Sequence, residues 1–151
     1  MRLRHSLFAV SLALGTTLAL AAPASAGPAT EHFRLLNTSV SADATIVAQG
    51  PLHATGKSVS VNNHRDRFVF PMGALIVRHY PTSSHDSFDK KTCYGQHTES
   101  GTYTVLGGTR DYSDASGHGS YTLVINFVGC SHHKPPRVFT FEVDASGPLS
   151  L

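Results

Sequence analysis

The stretch Tyr121-Thr122-Leu123-Val124-Ile125-Asn126-Phe127-Val128-Gly129-Cys130 decides the fold class. In an extended chain Tyr121, Leu123, Ile125 and Phe127 share one face, and Thr122, Val124, Asn126 and Val128 share the other. A period of two built from β-branched and aromatic residues is the pattern of a strand. The alternation recurs along the chain, broken each time by turn residues. Upstream it predicts strands over 32–40, 44–49, 52–62, 67–70 and 75–80, with Gly50-Pro51 and Pro71-Met72-Gly73 as breaks. Residues 83–91 are polar and are expected to end in a loop. Residues 92–106 read as one long strand bulged at Gly101, and 107–119 as a Gly/Ser/Asp connection with a single helical turn. After Pro135-Pro136, residues 137–143 form the last expected strand. Phe139, Phe141 and Val143 share one side of it, with Arg137 at a barrel mouth.

No helical stripe exceeds one turn, and there are no heptads and no internal repeat. About eight strands without a helix to cover them need two packed sheets or a closed barrel, and closure removes the edges that invite aggregation. The expected class is all-β and antiparallel.

The first 26 of the 151 residues read as a signal peptide: Arg2 and Arg4, an apolar run over 7–22, then Ala24-Ser25-Ala26 as a cleavage site. The run carries Ser11, Gly15, Thr16 and Thr17 and is a poor membrane span. Cleavage before Gly27 leaves one domain, 27–151, with ten basic and ten acidic side chains. That balance argues against nucleic-acid binding by bulk charge and against a polybasic membrane anchor. The expected location is secreted and extracellular, with no membrane attachment once the leader is gone.

Gly107-Gly108-Thr109-Arg110-Asp111-Tyr112-Ser113-Asp114-Ala115-Ser116-Gly117-His118-Gly119-Ser120-Tyr121 resembles the strand–loop–strand signature of the allene oxide cyclase and dirigent barrels. Gly101-Thr102-Tyr103 supplies the first strand of that pattern and Tyr121 opens the second. The segment from Asp66-Arg67-Phe68-Val69-Phe70 through Val77-Arg78-His79 is similar to small secreted actinobacterial proteins of this type. The resemblance implies a calycin-like, eight-stranded closed barrel with a lumen. Arg110 stands where the pattern has glycine, which points to a changed turn geometry there. The functional residues of that family lie in its early strands, outside the matched stretch. The likeness therefore transfers no catalytic residue, and a shared barrel is not a shared activity.

Cys93 and Cys130 are the two cysteines of the chain, and in a secreted domain they are expected to form one disulfide. Nine histidines lie beyond the leader, among them His64, His79, His97 and the adjacent His132-His133. A metal needs three or four ligands converging on one point, and no spacing here supplies them. The histidines read as surface and loop residues, and the sequence assigns neither a metal nor a cofactor. Ser84-His85-Asp86 is not a triad, because consecutive residues of an extended chain point in different directions.

The polar residues that a barrel turns inward are the more informative ones. A three-residue connection at 71–73 would set Asp66 opposite Arg78, and a four-residue connection would set it opposite His79. His97, Glu99 and Tyr103 lie in the long strand and are further candidates. Tyr121, Ile125, Phe127 and Phe141 are the expected apolar ligand-binding walls of a lumen. Three classes of function follow. The first is a secreted carrier of a small apolar or aromatic molecule. The second is a surface-acting interaction protein whose barrel is filled by Phe68, Phe127, Phe139 and Phe141. The third is a cyclase, isomerase or dirigent-like protein acting in the lumen. The catalytic residues, the ligand and the oligomeric state stay open.

Overall fold

The structure, a computed structural model, describes residues 28–131 and 134–151. The expected leader and the His132-His133 pair lie outside the described residues. The described chain is all-β without a helix. Its strands are β1 (Ala29–Asn37), β2 (Ala44–Gln49), β3 (Ala54–Asn62), β4 (Arg65–Phe70), β5 (Gly73–Asp89), β6 (Tyr94–Arg110), β7 (Ser116–Val128) and β8 (Val138–Ser150). Each pairs antiparallel with the next, and β8 returns to β1, closing the barrel.

Alternation places one side chain in two inside. Phe33 and Leu35 of β1, Ile46 of β2, Phe68 and Phe70 of β4, and Val77 of β5 are all buried, while their neighbours in sequence face out. Phe33 packs tilted on Phe68 with ring centroids 5.5 Å apart, and edge-on to Tyr103 at 6.2 Å. Each such ring taken from water contributes about 1.5–3 kcal/mol. One end of the barrel is plugged by Leu75, Leu149 and the edge-on pair Phe70 and Tyr112. Glu31 is fully buried as well. Its Oε2 accepts the Leu52 amide at 2.8 Å, and its Oε1 has no hydrogen-bond partner among the described residues.

Several boundaries differ from the sequence expectation. The polar 83–91 stretch is strand as far as Asp89, because its backbone pairs with β6 from Tyr94 onward. The glycine-rich 107–119 segment is also mostly strand. β6 runs to Arg110 and β7 starts at Ser116, with a tight turn between them whose Tyr112, Ser113 and Ala115 amides bond back three residues. Glycine-rich composition marks close strand packing here: a Cβ on Gly119 would lie 2.1 Å from the Ser146 carbonyl oxygen. Arg110 has a left-handed φ of +56°, the region that glycine occupies most readily. β6 is bulged between Val105 and Gly108 rather than at Gly101, and a further bulge lies on β5. Pro81 pairs with Gly101 and Ser83 with Ser100, leaving Thr82 as the extra residue. Arg137 precedes the last strand, and that strand continues to Ser150.

The strands are unequal, and that shapes the functional end. β5 and β6 have 17 residues each, β2 and β4 only 6. Beyond Arg78 on β5 and Phe141 on β8, no pairing with β4 or β1 remains. The outer parts of β5 to β8 therefore stand above the rim as a four-stranded overhang. The extra residue at Thr82 shifts the parity of the rest of β5, which turns Asp86 and Phe88 toward the lumen side. Rows of cross-strand partners then cover this inner face: Phe88, Gly95, Phe127 and Phe139, followed by Asp86, His97, Ile125 and Phe141.

Candidate functional site

A cavity of about 380 Å³ occupies the open half of the barrel below the overhang. Its walls are mostly apolar, with Phe33, Leu35, Phe68, Val77, Leu123 and Val143 among them. The loop over 38–43 forms one side of the mouth. Asn37 holds that loop by donating from Nδ2 to the Ala42 carbonyl at 2.6 Å and accepting the Ser39 amide at 2.8 Å.

The polar side chains gather on one part of the wall. Asp66 on β4 and His79 on β5 face the cavity, with Asp66 Oδ2 3.3 Å from His79 Nδ1. His79 Nε2 lies 2.9 Å from the Asn63 carbonyl oxygen, which can only accept, so Nε2 carries a proton. Nδ1 and Oδ2 would then confront each other as lone pairs unless a second proton lies on one of them. Burial raises the proton affinity of Asp66, against the opposing effects of His79 and of the Ser60 hydroxyl.

Tyr121 and Glu99 form the second polar element. The Tyr121 hydroxyl donates to Glu99 Oε1 at 2.6 Å. Burial first, then this hydrogen bond to a carboxylate, pushes the Tyr121 phenol well above its ordinary range. The other oxygen, Oε2, lies 3.8 Å from His97 Nε2, and His97 Nδ1 meets Asp86 Oδ1 at 2.7 Å. The Tyr121 ring sits 5.9 Å from that of His79, so the two polar elements adjoin. Tyr121 also lies over Gly101, its cross-strand partner. A Cβ at position 101 would come within 2.6 Å of the ring. Tyr103 lines the cavity below, its phenol pushed up to about 12 by burial and by the charge of Glu31.

Of the residues expected from sequence, Asp66, His79, Glu99, Tyr103, Tyr121 and Phe141 line the cavity. His97 is set back from it and reaches it through Glu99. Ile125 and Phe127 occupy the expected face but stand on the overhang, outside the cavity wall; Phe127 stacks on Phe88 at 6.3 Å. Of the four phenylalanines expected to fill the barrel, Phe68, Phe139 and Phe141 only line it, and Phe127 stands outside.

The Asp66–Arg78 pairing is incorrect. The connection has two residues, Pro71 and Met72, so Phe70 pairs with Gly73 and Asp66 with Val77. Arg78 then points out of the barrel, where it donates to the Tyr80 hydroxyl at 3.2 Å. Asp66 meets His79 instead, on the diagonal of the ladder rather than through a longer loop.

Ser58 and Ser60 were not anticipated as wall residues. In β3 they face the lumen, while Val61 is 54 % exposed on the outside. Period-two alternation showed that these residues share a face without showing which face is inward. The Cys93–Cys130 disulfide is present, with a Cα–Cα separation of 5.0 Å. It sits at the tip of the overhang, next to a backbone bond from the Gly129 amide to the Cys93 carbonyl. Among the described residues no group of three His, Cys, Asp or Glu side chains is placed to hold a metal ion, and no helix is long and apolar enough to cross a membrane.

No protein-family model, curated protein or solved structure matches the chain.

Proposed function

We propose that this is a secreted binding protein that holds a small, predominantly apolar or aromatic molecule in its barrel. The observation that carries the reading is the cavity of about 380 Å³, within the size range of small-molecule sites, with an apolar wall and a few convergent polar groups. A barrel of eight strands can be filled by its own side chains, and this one leaves that volume open. The leader pattern and the disulfide support secretion. The likeness of the Gly101–Tyr121 region to the allene oxide cyclase and dirigent barrels supports a barrel with a lumen and carries over no catalytic residue.

Fluorescence titration with the neutral probe N-phenylnaphthylamine tests the reading. The native protein should bind the probe saturably, and Ala145→Phe, which fills the cavity from β8, should reduce that binding at least tenfold while the barrel stays folded by circular dichroism. Absence of saturable binding to the native protein would refute the lumen site. A second reading, proton transfer to a lumen substrate, is favoured by the close approach of Asp66 to His79 on the cavity wall, a geometry that a proton shared between them would make favourable.

A further inference from the structure

We infer that the molecule bound in the lumen carries a protonated amine on its apolar body, anchored by Glu99. The inference rests on the lumen-binding reading and narrows it to one chemical class. Among the described residues no Lys or Arg lines the cavity. The nearest arginines in register are turned outward: Arg34 donates to Glu142, and Arg78 donates to the Tyr80 hydroxyl. The basic group on the wall is His79, which adjoins Asp66, and His97, set back behind Glu99, adjoins Asp86.

The Asp66–His79 pair is internally balanced when it holds its second proton, and Asp43 lies exposed in the 38–43 loop at the mouth, which leaves Glu99 as the half-buried wall carboxylate with an oxygen to spare. Oε1 accepts the Tyr121 hydrogen bond at 2.6 Å, and His97 is the nearest charge partner of Oε2, 3.8 Å away and already engaged by Asp86 at 2.7 Å. The Tyr121 hydroxyl keeps its one proton and donates it in the hydrogen bond to Glu99, so toward the cavity it can only accept. Acceptors therefore converge here without a permanent cation to satisfy them. An ammonium supplies three donors and the complementary charge. Tyr103, Phe33 and Phe141 supply faces on which the rest of a small aromatic amine can pack, and a ring face also attracts a cation. A carboxylate-bearing ligand would meet Glu99 with no arginine or lysine to offset the repulsion.

The chain contains no Trp, so indole fluorescence can be read directly against its tyrosines. Three ligands of nearly equal shape isolate the head group: tryptamine, tryptophol and indoleacetate, titrated at neutral pH into the mature protein. Tryptamine should bind about tenfold or more tighter than tryptophol, the usual advantage of a charge-assisted hydrogen bond over a neutral one, and indoleacetate should bind weakest. Glu99→Gln, of the same shape, should bring tryptamine down to about the affinity of tryptophol. Tryptophol or indoleacetate binding as tightly as tryptamine overturns the amine inference and leaves the lumen site standing. So does binding of N-phenylnaphthylamine without any of the three indoles. An amine preference that survives in Glu99→Gln removes Glu99 as the anchor. If neither the indoles nor the neutral probe bind, the lumen-binding reading itself falls.

Discussion

Asp66 Oδ2 lies 3.3 Å from His79 Nδ1, while the opposite nitrogen of that imidazole faces the Asn63 carbonyl oxygen at 2.9 Å. The carbonyl fixes one proton on Nε2, so the approach of Asp66 to Nδ1 is favourable only when one further proton lies on the pair. Burial dominates the behaviour of Asp66 and makes its folded form take up a proton more readily than the unfolded chain does.

Stability should therefore fall as pH rises from the ordinary carboxylate range through the raised range of Asp66. Across that window the folded state holds a proton that the unfolded chain has released. Asp66→Asn keeps the shape, offers an N–H to Nδ1 and removes this slope. At mildly alkaline pH it should be as stable as the native protein or up to about 1 kcal/mol more stable. Asp66→Ala, which leaves Nδ1 of the 29 % exposed His79 unpaired, should cost about 1–3 kcal/mol. Urea midpoints measured from acid to alkaline pH check both. A native-like pH slope in Asp66→Asn would show that another group sets it.

Arg110 holds φ at +56° in the turn that joins β6 to β7. A side chain with a Cβ pays roughly 1 kcal/mol in that region, and glycine does not. Arg110→Gly should raise stability by about 0.5–1 kcal/mol, net of the greater freedom that glycine has when unfolded. Thermal unfolding measures it, and a lower melting temperature would mean that Arg110 makes a contact worth more than its strain.

Cys93 and Cys130 are bridged just beyond the last rung between β6 and β7, where Tyr94 pairs with Val128. Replacing both by serine should lower stability by about 2–4 kcal/mol, the usual range for a loop of this length. Neither cysteine lines the cavity. N-phenylnaphthylamine affinity should therefore stay within about twofold in the folded double variant. A large loss of probe affinity would show that the overhang closes over the site.

Most of the fold was legible in one dimension. The period-two runs around Tyr121 and Ile46 state their own secondary structure, because a strand buried on one face must alternate. β2 was placed at its observed limits, 44–49. The lengths of β5 and β6 were not legible, since 83–91 and 107–119 lack apolar alternation. Their strand character comes from backbone bonds to neighbouring strands, which polar and glycine residues make as well as valine does.

By itself, the sequence determined the all-β class, the two-cysteine bridge and which residues of a strand share a face, since each depends on residue type or parity alone. Only the tertiary structure decided which of them meet. A two-residue turn at Pro71-Met72 sent Arg78 outward and brought His79 to Asp66, and one extra residue at Thr82 turned Asp86 and Phe88 toward the lumen side. Unequal strand lengths then lifted Ile125 and Phe127 above the cavity. Register is a property of two strands together. A shift of one residue exchanges every inward side chain for its neighbour, and no pattern within a single strand records where its partner begins.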